Sequence, residues 1–223
     1  MKIEVWSDVV CPWCWVGKRN LELALEGFEH RDQVEVVFRS YELDPNAPPE
    51  REGTYEERLA RKYGVAAGQA RAMISRIVDA GALVGLDFRF DIARPGNTFD
   101  AHRLIQLGGA PVKERLMRAY FTEGEPIGDR ETLVRLAVDA GLAEDEVRTV
   151  LDSDLYADAV RADERAAAEH DITGVPFFAV DGKYGVAGAQ PPEILRRVLE
   201  RRFAEAAPPP PAPGCDDDGV CAV

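Results

Sequence analysis

Apolar residues gather at Ile3, Val5, Trp6, Val9 and Val10, a run that predicts a strand from Ile3 to Val10. Trp15, Val16, Leu21, Leu23, Leu25 and Phe28 then recur with helical spacing and end near Gly27, so Trp15–Phe28 reads as a helix with one buried face. Val34 to Tyr41, rich in β-branched and aromatic residues, reads as a second strand, and Asp44–Pro49 as an exit loop. Strand, helix and strand in this order form a βαβ unit. From Thr54 to His170 the period is helical. The expected members are Tyr55–Tyr63, Ala67–Leu83, Thr98–Leu107, Val112–Tyr120, Glu131–Ala140, Glu144–Val150 and Leu155–His170, with Asn97, Asp129 and Asp154 as caps. Strand patterns return at Phe177–Val180 and Tyr184–Ala187, joined by Asp181-Gly182-Lys183, whose Asp-Gly pair signals a hairpin. A last helix, Pro192 to Ala206, carries Ile194, Leu195, Val198, Leu199 and Phe203 on one side. The predicted fold class is therefore α/β, with a large all-helical insertion between a βαβ half and a ββα half.

Composition narrows the classes. Of 223 residues, 46% are hydrophobic, close to the globular average, which argues against disorder for the bulk of the chain. No apolar run approaches the ~20 residues a membrane span needs. The first residues lead straight into a strand pattern without an apolar signal core, so a cytoplasmic location is expected. With 27 basic against 40 acidic residues the net charge is −13, which argues against nucleic acid as a partner; the acidity reads as solubility.

The chemistry gathers at Cys11-Pro12-Trp13-Cys14, a dithiol where the first strand gives way to the first helix. Two cysteines in one helical turn can close a small disulfide ring. The first faces the orphan N–H groups and positive end of the helix, which favour a thiolate. Pro12 stands where a helix tolerates proline. Cys11 is thus predicted to be the exposed nucleophile and Cys14 the buried resolving thiol. A C-x2-C zinc site would need a second ligand pair, and Cys215 and Cys221 are spaced differently in a Pro-rich tail, so no metal is expected. That tail pair reads either as spectators or as a secondary redox pair on a semi-rigid polyproline spacer. Gly174-Val175-Pro176-Phe177-Phe178 marks a loop entering a strand. Paired with the dithiol, it predicts a cis Val175–Pro176 bond that presents the backbone of Val175 to a substrate chain. Substrate binding is expected at Pro12, Trp13, Val175 and Pro176, with Trp13 the most exposed of the nearby tryptophans. Asp8 has two readings, a proton relay to Cys14 or a solvated loop carboxylate. His102 reads as a packed or capping histidine.

Cys11-Pro12-Trp13-Cys14 after a first strand, a long helical insertion, and Thr173-Gly174-Val175-Pro176 before the returning hairpin resemble the DsbA family of thioredoxin-fold oxidoreductases. Ser7 to Gly17, Asn97-Thr98 with Ala101-His102-Arg103, and Phe121-Thr122-Glu123-Gly124 with Ile127 and Asp129 are similar to its FrnE-like branch. The resemblance implies a thioredoxin-like domain in two halves, residues 1–50 and 171–206, a helical insertion over 51–170, a flexible tail over 207–223, and thiol–disulfide exchange. Two departures matter. The inter-cysteine pair is Pro-Trp rather than the Pro-His of strongly oxidising periplasmic enzymes, and no secretion signal is seen. Potentials in the superfamily run from about −270 to −120 mV, so the direction of exchange is not carried over. The same branch includes hydroxychromene-carboxylate isomerases and kappa-class glutathione transferases, which resemble this chain around Asn97, Thr98, His102 and Arg103. They supply the alternative of a glutathione-dependent isomerase or transferase, although those enzymes carry serine at the position of Cys11. A peptide-binding, chaperone-like module is a further alternative. The expected partners are protein or peptide thiols and disulfides and a cellular thiol reductant, with no nucleic acid and no membrane. No cofactor is expected beyond glutathione as a co-substrate.

Overall fold

The computed structural model describes residues 1–206. Strand β1 (Lys2–Ser7) pairs in parallel with β2 (Glu35–Ser40) across helix α1 (Pro12–Glu26), the expected βαβ unit. Strands β3 (Phe177–Val180) and β4 (Tyr184–Ala187) complete a sheet in the order β2-β1-β3-β4, with β3 antiparallel to both of its neighbours. Alternation along the strands sorts the two faces. Ile3, Val5, Phe178 and Val180 pack with Leu21, Ala24, Leu195 and Leu199 of α1 and α8 (Pro192–Ala206). Trp6, with Phe177 and Ala179 beside it, faces Ala167 and Ile172 on the other side. This is a thioredoxin-like fold.

β1 ends at Ser7, short of the predicted Val10. The cause is Asp8, whose carboxylate accepts the Leu43 N–H at 2.8 Å while its carbonyl accepts the Cys11 N–H at 3.3 Å, so residues 8–10 turn toward α1 instead of extending the ladder.

Between β2 and β3 the described chain is helical, in α2 (Tyr55–Tyr63), α3 (Ala67–Ala82), α4 (Phe99–Arg118), α5 (Arg130–Asp139), α6 (Glu144–Asp152) and α7 (Ala157–Glu169). The helices predicted over Thr98–Leu107 and Val112–Tyr120 are the two limbs of α4, divided by a kink. Gly109 breaks it with φ 64° and ψ −145°, a conformation open to glycine, two residues before Pro111. α4 runs on into one π-helical turn, Ala119–Glu123. Asp129 caps α5 as predicted, accepting the Thr132 N–H. The cap at α4 is Thr98, with the Asn97 side chain accepting the Phe99 N–H at 2.9 Å from one residue earlier. Asp154 does not cap α7, because the chain first turns through Tyr156 at φ 64°.

The helices share a core with the dithiol. Cys11, Cys14 and Trp15 lie in one apolar cluster with Phe88, Leu104, Leu116 and Phe121. Trp15 stacks on Phe121 at 5.8 Å and meets the edge of Phe88 at 5.5 Å. α7 is tied to the sheet by Trp6, which donates to the Asp163 carbonyl at 2.9 Å, and by the Asp163 carboxylate, which accepts the Ser40 N–H at 2.9 Å. No described helix is long and apolar enough to cross a membrane.

Candidate active site

Cys11 is the residue immediately before α1, in an extended conformation, and Pro12 is the first helical residue, so the dithiol stands at the positive end of a fifteen-residue helix. The Cys14 N–H donates to the Cys11 carbonyl at 3.0 Å, which closes the first turn and puts both cysteines on it. Among the described residues both thiols are free.

The Val175–Pro176 peptide bond is cis, and its loop lies against the dithiol: the Cys11 Sγ is 3.6 Å from the Val175 carbonyl oxygen. α1 reaches this loop because residue 17 is glycine. A Cβ there would stand 2.9 Å from Pro176 Cγ and 3.2 Å from Phe178 Cζ. On the far side of the loop, the Pro176 carbonyl accepts the Gly188 N–H at 2.8 Å. A shallow cleft of about 350 Å³ runs along Ile172 to Phe177 and Gly188.

The expected exposure of Cys11 is corrected: the residue is only 5% exposed because the proline loop lies across its sulfur, and Cys14 is 2% exposed. Trp13 stands out at 39%, while Trp6 and Trp15 are core residues. Cys215 and Cys221 lie outside the described residues.

Behind the sulfurs is a group of buried polar side chains. Asp8 is 1% exposed, so the solvated-carboxylate reading is also corrected. Its Oδ1 is 3.3 Å from His102 Nε2, and its Oδ2 accepts the Leu43 N–H. Burial alone would raise the Asp8 carboxyl, but the His102 hydrogen bond and charge, the Leu43 N–H and the Lys113 ammonium outweigh it and hold it below its ordinary value. His102 is packed, as expected, and its Nδ1 has no partner among the described residues. Burial pushes the Cys14 thiol well up, and the adjacent Cys11 pushes it further, against the Asp8 N–H and the charge of Lys113.

Lys113, Tyr55 and Tyr120 were not singled out from the sequence. One signal was there. Lys113 shares the spacing of Leu116, Met117 and Tyr120, a lysine on an otherwise apolar helical face.

A buried dithiol at a helix start, faced by a cis-proline loop at the edge of this sheet, is matched over residues 2–200 by the model of the DSBA-like thioredoxin domain. The chain belongs to that family. Within it, a Streptomyces coelicolor structure described as a probable DsbA oxidoreductase is 44% identical, covers 100% of this chain and 99% of its own, and superposes with a TM-score of 0.88. The uncharacterised Bacillus subtilis protein YwbO is 28% identical over 88% of this chain and 94% of its own. The cytosolic disulfide reductase DsbM of Pseudomonas aeruginosa shares the fold, at 16% identity and a TM-score of 0.63, over 92% of this chain and 100% of its own. DSBA-like membership establishes the thioredoxin fold and an oxidoreductase family.

Proposed function

We propose that the protein exchanges disulfides with protein or peptide substrates through Cys11 and Cys14. The observation that carries this reading is the placement of the Cys11 sulfur 3.6 Å from the Val175 carbonyl, at the positive end of α1. In the reducing direction, the Cys11 thiolate attacks a substrate disulfide. One S–S bond forms between Cys11 and the substrate, the original one breaks, and the departing sulfur takes the electron pair and then a proton. Cys14 next attacks the mixed disulfide, closing Cys11–Cys14 and releasing the second substrate thiol. A cellular thiol such as glutathione reduces the pair again, and the oxidising direction runs these events in reverse. Val175 lends its backbone to an extended substrate segment, with Pro12, Trp13 and Pro176 as the adjoining surface. The expected place of action is the cytoplasm, which fractionation of the source cells checks.

The glutathione-dependent isomerase alternative needs only a hydroxyl at position 11, and a two-cysteine site does more than that. The test is a pair of variants. Cys14→Ser is expected to accumulate mixed disulfides with substrate through Cys11, seen by mass spectrometry, whereas Cys11→Ser accumulates none. Trapping that survives Cys11→Ser would reverse the roles, and insulin disulfides left intact by the wild-type protein with every reductant would remove the exchange reading.

A further inference from the structure

β1 ends at Ser7 and α1 begins at Pro12, so residues 8–11 belong to neither the sheet nor a helix and take their place from other bonds. Asp8 supplies them. Its carbonyl accepts the Cys11 N–H at 3.3 Å, its Oδ1 lies 3.5 Å from the Val10 nitrogen, and its Oδ2 accepts the Leu43 N–H at 2.8 Å, which ties the turn to the chain leaving β2. His102, on the first limb of α4, is the one side chain hydrogen-bonded to this carboxylate among the described residues, with Nε2 3.3 Å from Oδ1. The contrast is Asp163, whose carboxylate is held by Arg39, Gln106 and the Ser40 N–H together. Both members of the Asp8–His102 contact are buried, and the other ring nitrogen of His102, Nδ1, has no partner among the described residues. Burying a polar ring with one nitrogen unpartnered is costly next to an apolar side chain of the same size. What the site keeps in return is the bond from Nε2.

We infer that His102 is a positioning residue for the exchange: its Nε2–H pins the Asp8 carboxylate, and Asp8 through its main chain fixes the turn that sets the Cys11 sulfur beside the Val175 carbonyl. This rests on the exchange reading above. An ionised carboxylate only accepts hydrogen bonds, so the proton in the Asp8–His102 contact is assigned to Nε2. The ionised form of Asp8 is the favoured one, because the His102 hydrogen bond and charge, the Leu43 N–H and the Lys113 charge outweigh its burial. Without the ring, one carboxylate oxygen of Asp8 is left enclosed and short of a donor, a state relieved only by moving the side chain toward water. The turn moves with it, and Cys11, joined to the Asp8 carbonyl, leaves its place against the loop of Val175 and Pro176. His102 thus acts on the sulfur from the far side of the turn without touching it or the substrate.

The test follows capture alone, in the full chain carrying Cys14→Ser, with a short peptide whose single cysteine is capped as a mixed disulfide with 2-nitro-5-thiobenzoate. Attack by the Cys11 thiolate joins Cys11 to the peptide sulfur and releases the coloured aryl thiolate with the electron pair. Adding His102→Leu is expected to slow capture about tenfold, since an ångström of misplacement costs up to about 100-fold. His102→Gln, whose amide keeps an N–H donor at the place of Nε2, should restore most of the rate. A packing role predicts the opposite order, because leucine fills the apolar surroundings better than glutamine does. In an Asp8→Ala background, itself slowed, His102→Leu should cost nothing further, as two residues acting through one contact are not additive. A long-range 1H–15N spectrum of the wild-type protein, which needs no variant to fold, should show the His102 ring protonated at Nε2. Leucine capturing as fast as glutamine, a full additional loss in the Asp8→Ala background, or a ring proton on Nδ1 alone would each overturn the assignment. Absence of capture with His102 intact would overturn the exchange reading instead.

Discussion

Lys113 leaves a mark on stability. Its pKa falls from an ordinary 10.5 to about 8 in the fold because burial disfavours the ammonium. Between those two values the unfolded chain holds a proton that the folded chain has released, so stability rises with pH across that window. The lysine's cost to the fold is therefore full below pH 8 and fades toward pH 10.5, and at its largest it amounts to roughly 3 kcal/mol. In the oxidised protein, where no Cys14 thiol titrates alongside it, Lys113→Met is expected to raise the unfolding free energy at neutral pH. The advantage should shrink steadily as the pH passes 8. Denaturant titrations at several pH values check this, and an advantage that stays constant with pH would show that the charge is not its source.

At the scale of elements, the site depends on how closely α1 approaches the loop before β3. Gly17 sets that approach, its missing side chain being filled by Pro176 and Phe178. Gly17→Ala gains about 1 kcal/mol of helix propensity and loses ~1–3 kcal/mol to overpacking. The net effect on stability is expected to lie between zero and about 2 kcal/mol of destabilisation. Function should suffer more, because the added methyl pushes Pro176 and hence the Val175 carbonyl away from Cys11. Capture of a peptide disulfide should slow severalfold at temperatures where the variant is still fully folded. Equal rates for variant and wild type would show that the loop's distance from the helix does not matter. α4 contributes in two pieces, His102 before the Gly109 break and Lys113 after it, so one kinked helix supplies both sides of the polar group behind Cys14.

Across the whole molecule, the three apolar clusters of the described residues run up to Phe203, and the sheet, the helices and the dithiol share them. Deleting residues 207–223 is accordingly expected to leave the circular dichroism spectrum and the unfolding midpoint unchanged. If Cys215 and Cys221 form a secondary redox pair, the same deletion should alter turnover or the choice of reductant. Identical kinetics with every reductant, and no Cys215–Cys221 disulfide after oxidation, would make them spectators.

Most elements could be read from the chain because their signals are local. Alternation at Ile3 and Val5, helical spacing from Leu21 to Phe28, the Asp181-Gly182 turn and proline at the start of α8 each act within a few residues. The dithiol and the proline loop were legible for the same reason: Cys11-Pro12-Trp13-Cys14 and Val175-Pro176 carry their chemistry in short motifs. Where the outcome depended on groups far apart in sequence, the pattern was silent or misleading. β1 stops at Ser7 because Asp8 finds the N–H of Leu43. Cys11 is covered because a loop more than 160 residues away folds onto its sulfur. Lys113 has helical spacing with apolar neighbours, but only packing decides that its ammonium is enclosed near the Ser7 carbonyl and lacks a carboxylate partner among the described residues. Local propensity specifies the elements and the reactive residues. Burial and pairing, which set the charge and reach of those residues, are properties of the assembled core.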